Sequence, residues 1–155
     1  MILSNREIHN ETEKINIINN CQICHIGLVD GDKPYVLPFN FAYEDGFVYI
    51  HSGPEGKKTD ILKVNKNICI VFNADNELFH RHENVACTYS MKYRSVVVDG
   101  HIEFIEDYDE KIRIMNVIMK KYTGRDDFKY NAPAVKNVCV MKVHVDKMTG
   151  KQFGY

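Results

Sequence analysis

The sequence predicts an α+β fold that is mainly β, an antiparallel sheet or barrel of about six or seven strands with two or three flanking helices. Three observations predict it: short apolar and β-branched runs recur along the chain, turns rich in Gly and Asp separate them, and a few segments show the apolar spacing of helices. The length of 155 residues corresponds to one domain, 1–155.

The first half of the chain predicts a helix followed by an antiparallel meander. Residues 5–20 carry isoleucines at helical spacing among polar residues. Short turns then join three apolar runs that are typical of strands, residues 22–29, 35–43 and 47–51. Asp30-Gly31 favours the first turn because Gly and Asp tolerate the positive φ angles of tight hairpins. Proline cannot donate to a β ladder, so Pro38 marks an edge, a bulge or a place where backbone faces a ligand.

The second half alternates strands with helices. The predicted helices are residues 57–66 and 107–123, and the predicted strands are residues 68–72, 85–91, 93–105 and 138–145. Asp107 and Glu110 have the spacing of a capping box at the start of the longer helix. Gly124 is a suitable residue to end it. Asp99-Gly100 predicts a bend within the strand 93–105.

Composition excludes several classes of function. Lys and Arg number 20 against 21 Asp and Glu, so the net charge is −1 and no basic surface for nucleic acid is required. The longest apolar runs are a few residues, far below the roughly 20 that span a bilayer. Residues 1–7 show no apolar stretch of signal-peptide length. We therefore expect a cytoplasmic protein without membrane or nucleic-acid partners.

The five cysteines favour thiols over disulfides, because their number is odd and no export signal precedes them. Cys69 and Cys139 lie in apolar runs and are expected to be small core residues. Cys21-x-x-Cys24-His25 matches the pattern of covalent haem attachment, or of a redox or metal-binding cysteine pair. The missing export signal and the position on a predicted strand argue against haem, and a redox or metal role is not expected because a thioredoxin-type motif opens a helix after a strand. The cluster at residues 80–83 (HRHE) is either a polar loop or a source of metal ligands; we expect no metal.

Three segments carry residues suited to bind a cofactor. In residues 51–58 (HSGPEGKK), a strand ends, a Gly-rich loop follows and two lysines open a helix, an arrangement that favours phosphate at the helix N-terminus. Residues 35–41 (YVLPFNF) surround Pro38 and are either a core strand with a bulge or a backbone edge for a planar heterocycle. Residues 92–95 (KYRS) are either a phosphate partner or an exposed strand end.

Together the segments 34–43 (PYVLPFNFAY), 51–58 and 93–107 (YRSVVVDGHIEFIED) resemble the FMN-binding split-barrel flavoproteins. The similarity is greatest to the nitroimidazole-resistance branch of the pyridoxamine 5′-phosphate oxidase-like superfamily. It extends over roughly residues 3–150, and the strand followed by His-Ser-x-x-x-Gly-x-Lys is its most specific part.

The resemblance implies a six-stranded antiparallel split β-barrel with flanking helices, acting as a homodimer with FMN at the subunit interface. Leu37, Pro38, Phe39 and Asn40 would line the flavin ring. His51, Ser52, Lys57 and Lys58 would hold the phosphate, with Lys58 at the family's lysine position. Three further residues would approach the cofactor, from the same subunit or from its partner: Tyr93, Arg94 and Ser95.

The expected activity is that of a flavin reductase, in which a reduced nicotinamide, NADH or NADPH, is the donor and a small nitroaromatic or quinone is the acceptor. His51 is the sole candidate for a catalytic residue. Pyridoxamine phosphate oxidases proper grip their substrate through a C-terminal segment with Arg and Trp, and this chain has no Trp, so vitamin B6 oxidation is not expected. The alternative is a protein without turnover: a flavin or haem carrier, or a redox sensor.

Overall fold

The structure, a computed structural model, describes residues 4–155, so the expectation about the first seven residues falls partly outside it. Its strands are β1 (Glu7–Ile8), β2 (Cys24–Asp30), β3 (Lys33–Phe39), β4 (Phe41–Glu44), β5 (Phe47–Ser52), β6 (Asn67–Phe79), β7 (Ser90–Ile105) and β8 (Cys139–Phe153). Its helices are α1 (Glu11–Asn20), α2 (Lys57–Val64), α3 (Tyr108–Thr123) and α4 (Ala132–Asn137), with 3₁₀ turns at Ser4–Arg6 and Ala86–Thr88. None of these helices has the length and apolar character needed to cross a bilayer.

The strands form one antiparallel sheet in the order β3-β2-β6-β7-β8-β5-β4, with β1 added beside β8. The predicted α+β, mainly β class is confirmed, but the sheet has eight strands where six were expected. The two ends of the order, β3 and β4, are consecutive in the chain and separated by Asn40 alone. The sheet is therefore barrel-like without being closed by a ladder.

The predicted strand 35–43 is broken at Asn40, where the chain changes its pairing partner. Residues before the break pair with β2, and residues after it pair with β5, so the predicted meander is confirmed with one interruption. Phe39 and Phe41 on either side of Asn40 are both buried in the main core. The Tyr122 hydroxyl of α3 accepts from the Phe41 amide and donates to the Gln22 carbonyl, which ties α3 across the break.

Two hydrophobic clusters hold the layers together. The larger fills the inside of the curved sheet with side chains from most strands, α1 and α2. The smaller lies under α3 and is formed by Ala42, Tyr49, Ile105, Ile114, Ile118 and Val140. Successive residues of β4 and β5 alternate between the two clusters, as the period of a strand requires.

Several predicted elements have different limits. The N-terminal helix begins at Glu11 after the cap Asn10, six residues later than expected. The expected strand at 85–91 is wrong: Thr88 bonds to the carbonyls of His82 and Val85 and holds a 3₁₀ turn, and β7 begins at Ser90. The last strand reaches Phe153, and α4 was not expected.

The local signals for α3 and for the bend in β7 are confirmed. The Asp107 carboxylate accepts the Glu110 amide at 2.8 Å, and Gly124 ends α3 with φ of 77°. The register between β7 and β8 shifts at Asp99-Gly100. A Cβ on Gly100 would overlap the His144 carbonyl oxygen, so the close approach of the two strands requires glycine there.

Candidate flavin site at the end of β5

The end of β5 and the start of α2 lie beside the break between β3 and β4. The strand delivers His51 and Ser52, and the loop 53–56 then leads into α2 at Lys57, as predicted from the sequence. Gly56 caps the helix with φ of 122°, a value that glycine adopts without strain. The first turn of α2 thus presents backbone N–H groups without intrahelical partners.

An open pocket of about 340 Å³ brings two of the three predicted segments together. Its lining consists of Leu37, Pro38, Phe39, Asn40, His51 and Lys58, all of which were predicted as cofactor contacts. Pro38 lies on the edge strand β3 opposite His25, which confirms that it marks an edge. Among residues 4–155, no strand therefore pairs with the outer side of this edge.

His51 is a pocket residue with an unsatisfied polar atom. Its Nδ1 is buried and has no hydrogen-bond partner among residues 4–155. Burial, with a smaller contribution from the Lys58 ammonium, lowers the pKa of His51 below its ordinary value of 6.5. The imidazole is therefore neutral at neutral pH, with a ring nitrogen available to a ligand.

The two lysines at the start of α2 have different surroundings. The Lys58 ammonium lies 5.9 Å from the centre of the Phe39 ring, at the pocket. Lys57 pairs with Asp30 at 3.2 Å and lies 4.6 Å from the centre of the Tyr35 ring, so it does not line the pocket. Ser52 is buried and donates to the Gly53 carbonyl at 2.9 Å. The proposed phosphate roles of Lys57 and Ser52 remain predictions.

The third predicted segment does not line this pocket within one chain. Arg94 pairs with Asp75 at 2.9 Å and lies over the Tyr155 ring. Tyr93 packs near Phe153, and Ser95 lies within 3.5 Å of the Lys151 carbonyl oxygen. Their roles toward a cofactor therefore depend on a second copy of the chain and remain predictions.

One functional group near the site was missed. Thr59, next to Lys58, is 2% exposed, and its hydroxyl has no hydrogen-bond partner in the described part of the chain. The sequence does indicate that Thr59 is buried, because it lies in the first turn of the helix on the same side as the apolar Leu62.

The cysteine motif does not have the surroundings of a haem attachment site. Cys21 is the C-cap of α1, whereas Cys24 and His25 lie on β2, so the expectation that the motif lies on a strand is partly wrong. Both side chains are buried, and burial raises the pKa of Cys24 to about 12. A thiol so buried and so weakly acidic is a poor nucleophile. Cys69 and Cys139, expected in the core, are only half-buried.

Residues 80–83 form an exposed loop, in which His80 stacks on Tyr89. Over residues 4–155 no group of three or more His, Cys, Asp or Glu side chains is placed to hold a metal ion.

Comparison with known proteins identifies the family. The model of the pyridoxamine 5′-phosphate oxidase family matches residues 10–152. A solved structure from Bacteroides thetaiotaomicron VPI-5482, provisionally described as a 5-nitroimidazole antibiotic resistance protein, is 44% identical. That similarity covers 95% of this chain and 86% of that one, with a TM-score of 0.85. No curated protein matches the chain.

More distant structures share the fold alone. The flavocytochrome Anf3 from Azotobacter vinelandii is 18% identical, over 96% of this chain and 70% of that one, with a TM-score of 0.83. A FAD- and haem-binding protein from Mycobacterium smegmatis is 15% identical, over 97% of this chain and 74% of that one, with a TM-score of 0.84. The resemblance in three segments is thus confirmed over nearly the whole chain, and the chain belongs to the pyridoxamine 5′-phosphate oxidase-like family.

Proposed function

We propose that the chain binds FMN in the pocket between β3, β5 and α2 and acts as a reductase, using the bound flavin to reduce small oxidised acceptors. The observation that carries the proposal is the pocket itself, where an open strand edge, the neutral His51 and the ammonium of Lys58 lie together. Supporting it, the relative from Bacteroides is 44% identical and carries the description of a nitroimidazole resistance protein.

The residues present fit a phosphate monoester. Lys58 supplies a positive charge, and His51 supplies a buried nitrogen without a partner. The first turn of α2 supplies N–H groups and the positive end of the helix dipole. A Cβ added at Gly53 or Gly56 would meet no atom within 4 Å, so open space surrounds the loop that leads to these amides.

The residues present also fit a planar heterocycle. Leu37 and Phe39 give apolar contact, while the Asn40 amide and the free edge of β3 can pair with polar ring atoms. Bound there, a flavin supplies the two-electron redox chemistry that side chains lack. The chain's own residues bind and orient the ring and phosphate. His51 is neutral at neutral pH, so one of its ring nitrogens carries a proton that it can donate to an oxygen of the phosphate or of an acceptor substrate.

We propose a nicotinamide dinucleotide as electron donor and a nitroaromatic or quinone as acceptor. The pocket is open to solvent on one side, so a second planar molecule can approach a flavin bound there. This chain has no Trp to complete the pyridoxal phosphate grip, which supports an electron donor other than a vitamin B6 phosphate.

We further propose that the working unit is a homodimer. Leu78 and Met91 are register partners on β6 and β7 and are 62% and 46% exposed, beside the exposed Phe79. Such an apolar patch is typical of a protein interface. Residues 93–95 continue the same strand, so a second copy seated on the patch is a means of bringing them to its partner's pocket.

The test is an absorbance spectrum of the purified protein, then mass identification of the compound released by heat. Bands at about 375 and 450 nm with FMN released are expected, because oxidised flavins absorb there. Release of FAD would correct the cofactor, and a protein that stays colourless after FMN is added contradicts the proposal. Steady-state oxidation of NADH or NADPH with a nitroimidazole then separates a reductase from the alternative of a carrier or sensor, which binds flavin without turnover.

A further inference from the structure

A second pocket, also of about 340 Å³, is lined by Thr59 and Lys63 of α2, whereas the candidate flavin site is lined by Lys58 of the same helix. The second pocket is lined by residues of α2, the loop before α2, the end of β7, the start of α3 and the junction of α4 with β8. Its lining residues share no member with those of the flavin pocket. The two pockets therefore use different side chains of the same helix.

The charge lining this second pocket is positive. Lys63, Lys111 and Lys136 face one carboxylate, Glu106. Within the described part of the chain, none of the three lysines forms an ion pair within 4.0 Å. Lys111 is 8% exposed, and its ammonium donates to the Val138 carbonyl at 3.0 Å. An ammonium has three donors, so Lys111 retains capacity for a ligand.

Thr59 supplies an independent sign of a ligand. It lines the pocket and is only 2% exposed. Its hydroxyl has no hydrogen-bond partner within residues 4–155. A buried hydroxyl without a hydrogen bond destabilises the fold, so such groups are rare unless something else completes them. Thr59 and Lys63 are four residues apart on α2 and therefore share one face of the helix.

We propose that this pocket binds a small organic anion, a carboxylate or phosphate ester with an apolar body. Lys63, Lys111 and Lys136 neutralise the head group, and the Thr59 hydroxyl donates to it. The apolar part of the ligand contacts Phe104, Ile105, Val138 and Val140, which line the same pocket. The proposal does not depend on flavin binding, because none of these residues belongs to the flavin pocket.

The test is isothermal titration of the full-length protein, with and without saturating FMN, using phenyl phosphate, benzoate and the neutral benzyl alcohol. Both anions are expected to bind, and the alcohol is not. Lys63→Gln and Lys136→Gln each weaken binding about tenfold, the loss of one charge-assisted contact. Lys129→Gln, an exposed lysine outside the pocket, is the matched control and leaves binding unchanged. The anion that binds more tightly identifies the preferred head group.

Thr59→Val separates a ligand role from a structural one. Valine keeps the shape and removes the unsatisfied hydroxyl, so the variant melts no lower than the parent yet binds the anions more weakly. Failure of both anions to bind overturns the proposal, as does binding that Lys63→Gln and Lys136→Gln leave unchanged. Binding that FMN competes away, or that Lys58→Ala abolishes, places the probe in the flavin pocket and also overturns it. The surface variants keep the test decisive if Thr59→Val does not fold.

Discussion

Lys58 and His51 set the electrostatics of the candidate flavin pocket between them. Both line the pocket, and the Lys58 ammonium contributes to the lowered pKa of His51. The pocket thus keeps one permanent positive charge beside a neutral imidazole near pH 7. A phosphate dianion entering it meets its main Coulombic attraction at Lys58.

Lys58→Ala is expected to weaken FMN binding by about 1.5–3 kcal/mol, the scale of a charge-assisted hydrogen bond. Riboflavin, which lacks the phosphate, should bind both proteins equally. Lys66→Ala, an exposed lysine just after α2, is the matched control and should bind FMN like the parent. Fluorescence titration of both flavins measures these affinities. Riboflavin binding the unmodified protein as tightly as FMN would refute the phosphate role of residues 51–58.

His51 should make the stability of the flavin-free protein depend on pH. Its pKa is lower in the folded chain than the ordinary 6.5. As the pH falls below 6.5, the unfolded chain takes up a proton that the folded chain does not, so the free energy of unfolding decreases. The His51→Asn variant does not lose stability in this way. Its free energy of unfolding therefore rises relative to that of the parent as the pH falls below about 6.5, and the difference between the two proteins is constant above that pH.

Urea unfolding at several values between about pH 5 and 8 measures the effect. His25→Asn, which removes an exposed histidine from β2, is the control for the loss of an imidazole as such. A constant difference between His51→Asn and the parent across this range would show that burial of His51 has no electrostatic consequence.

Sequence patterns were sufficient for the residues that approach the pocket from strand and helix ends. His51 and Lys58 are seven positions apart, and a strand, a short loop and a helix N-terminus necessarily bring such positions near one another. Lys57 shows the limit of that reasoning. Its partner Asp30 lies in another hairpin, and only the packing of α2 against β2 decides that the two side chains meet.

At the scale of elements, the bulge between β7 and β8 shapes the curved sheet. Asp99 pairs with Lys147 and Gly100 with Val145, so one residue of β8 is left over and the strands bend. Gly100 packs so closely on the His144 carbonyl that no side chain fits. The bend is therefore specified by one residue.

Gly100→Ala is expected to lower the free energy of unfolding by about 1–3 kcal/mol, because the methyl group forces the two strands apart. Gly27→Ala on β2 is the control, since its methyl group would meet the Cys69 carbonyl at an ordinary 3.6 Å. That change should cost less than about 1 kcal/mol. Equal losses in chemical denaturation would mean that the close approach at Gly100 has no special importance.

Elements with strong local signals were predicted, and those set by their neighbours were not. The cap and the C-terminal glycine of α3 are encoded within a few residues. The end of β8, by contrast, contains Lys, Thr and Gly and lacks an apolar alternation. It is a strand because β7 on one side and β1 on the other supply its hydrogen bonds. Such pairing between distant segments overrides local propensity.

At the scale of the whole molecule, the single chain leaves its candidate site open on one side, and the proposed homodimer would cover that side. The strand order ends at β3 and β4, and the pocket lies beside that break with one side exposed. Arg94 lies on β7 next to the apolar patch of Leu78 and Met91. A two-fold dimer places the same patch on both copies, so each subunit is able to complete the pocket of the other.

Mixed dimers of Lys58→Ala and Arg94→Ala chains test whether the two residues act across the interface. If Arg94 serves the partner's pocket, one site of the mixed dimer carries both defects and the other carries none. The mixed dimer, isolated through two different tags, should then bind about one FMN per dimer at a concentration where neither parent dimer binds. Equilibrium dialysis measures the stoichiometry, and sedimentation confirms the dimer mass. Because residues acting within one chain leave both sites of the mixed dimer with a single defect, a mixed dimer as weak as its parents refutes a shared site.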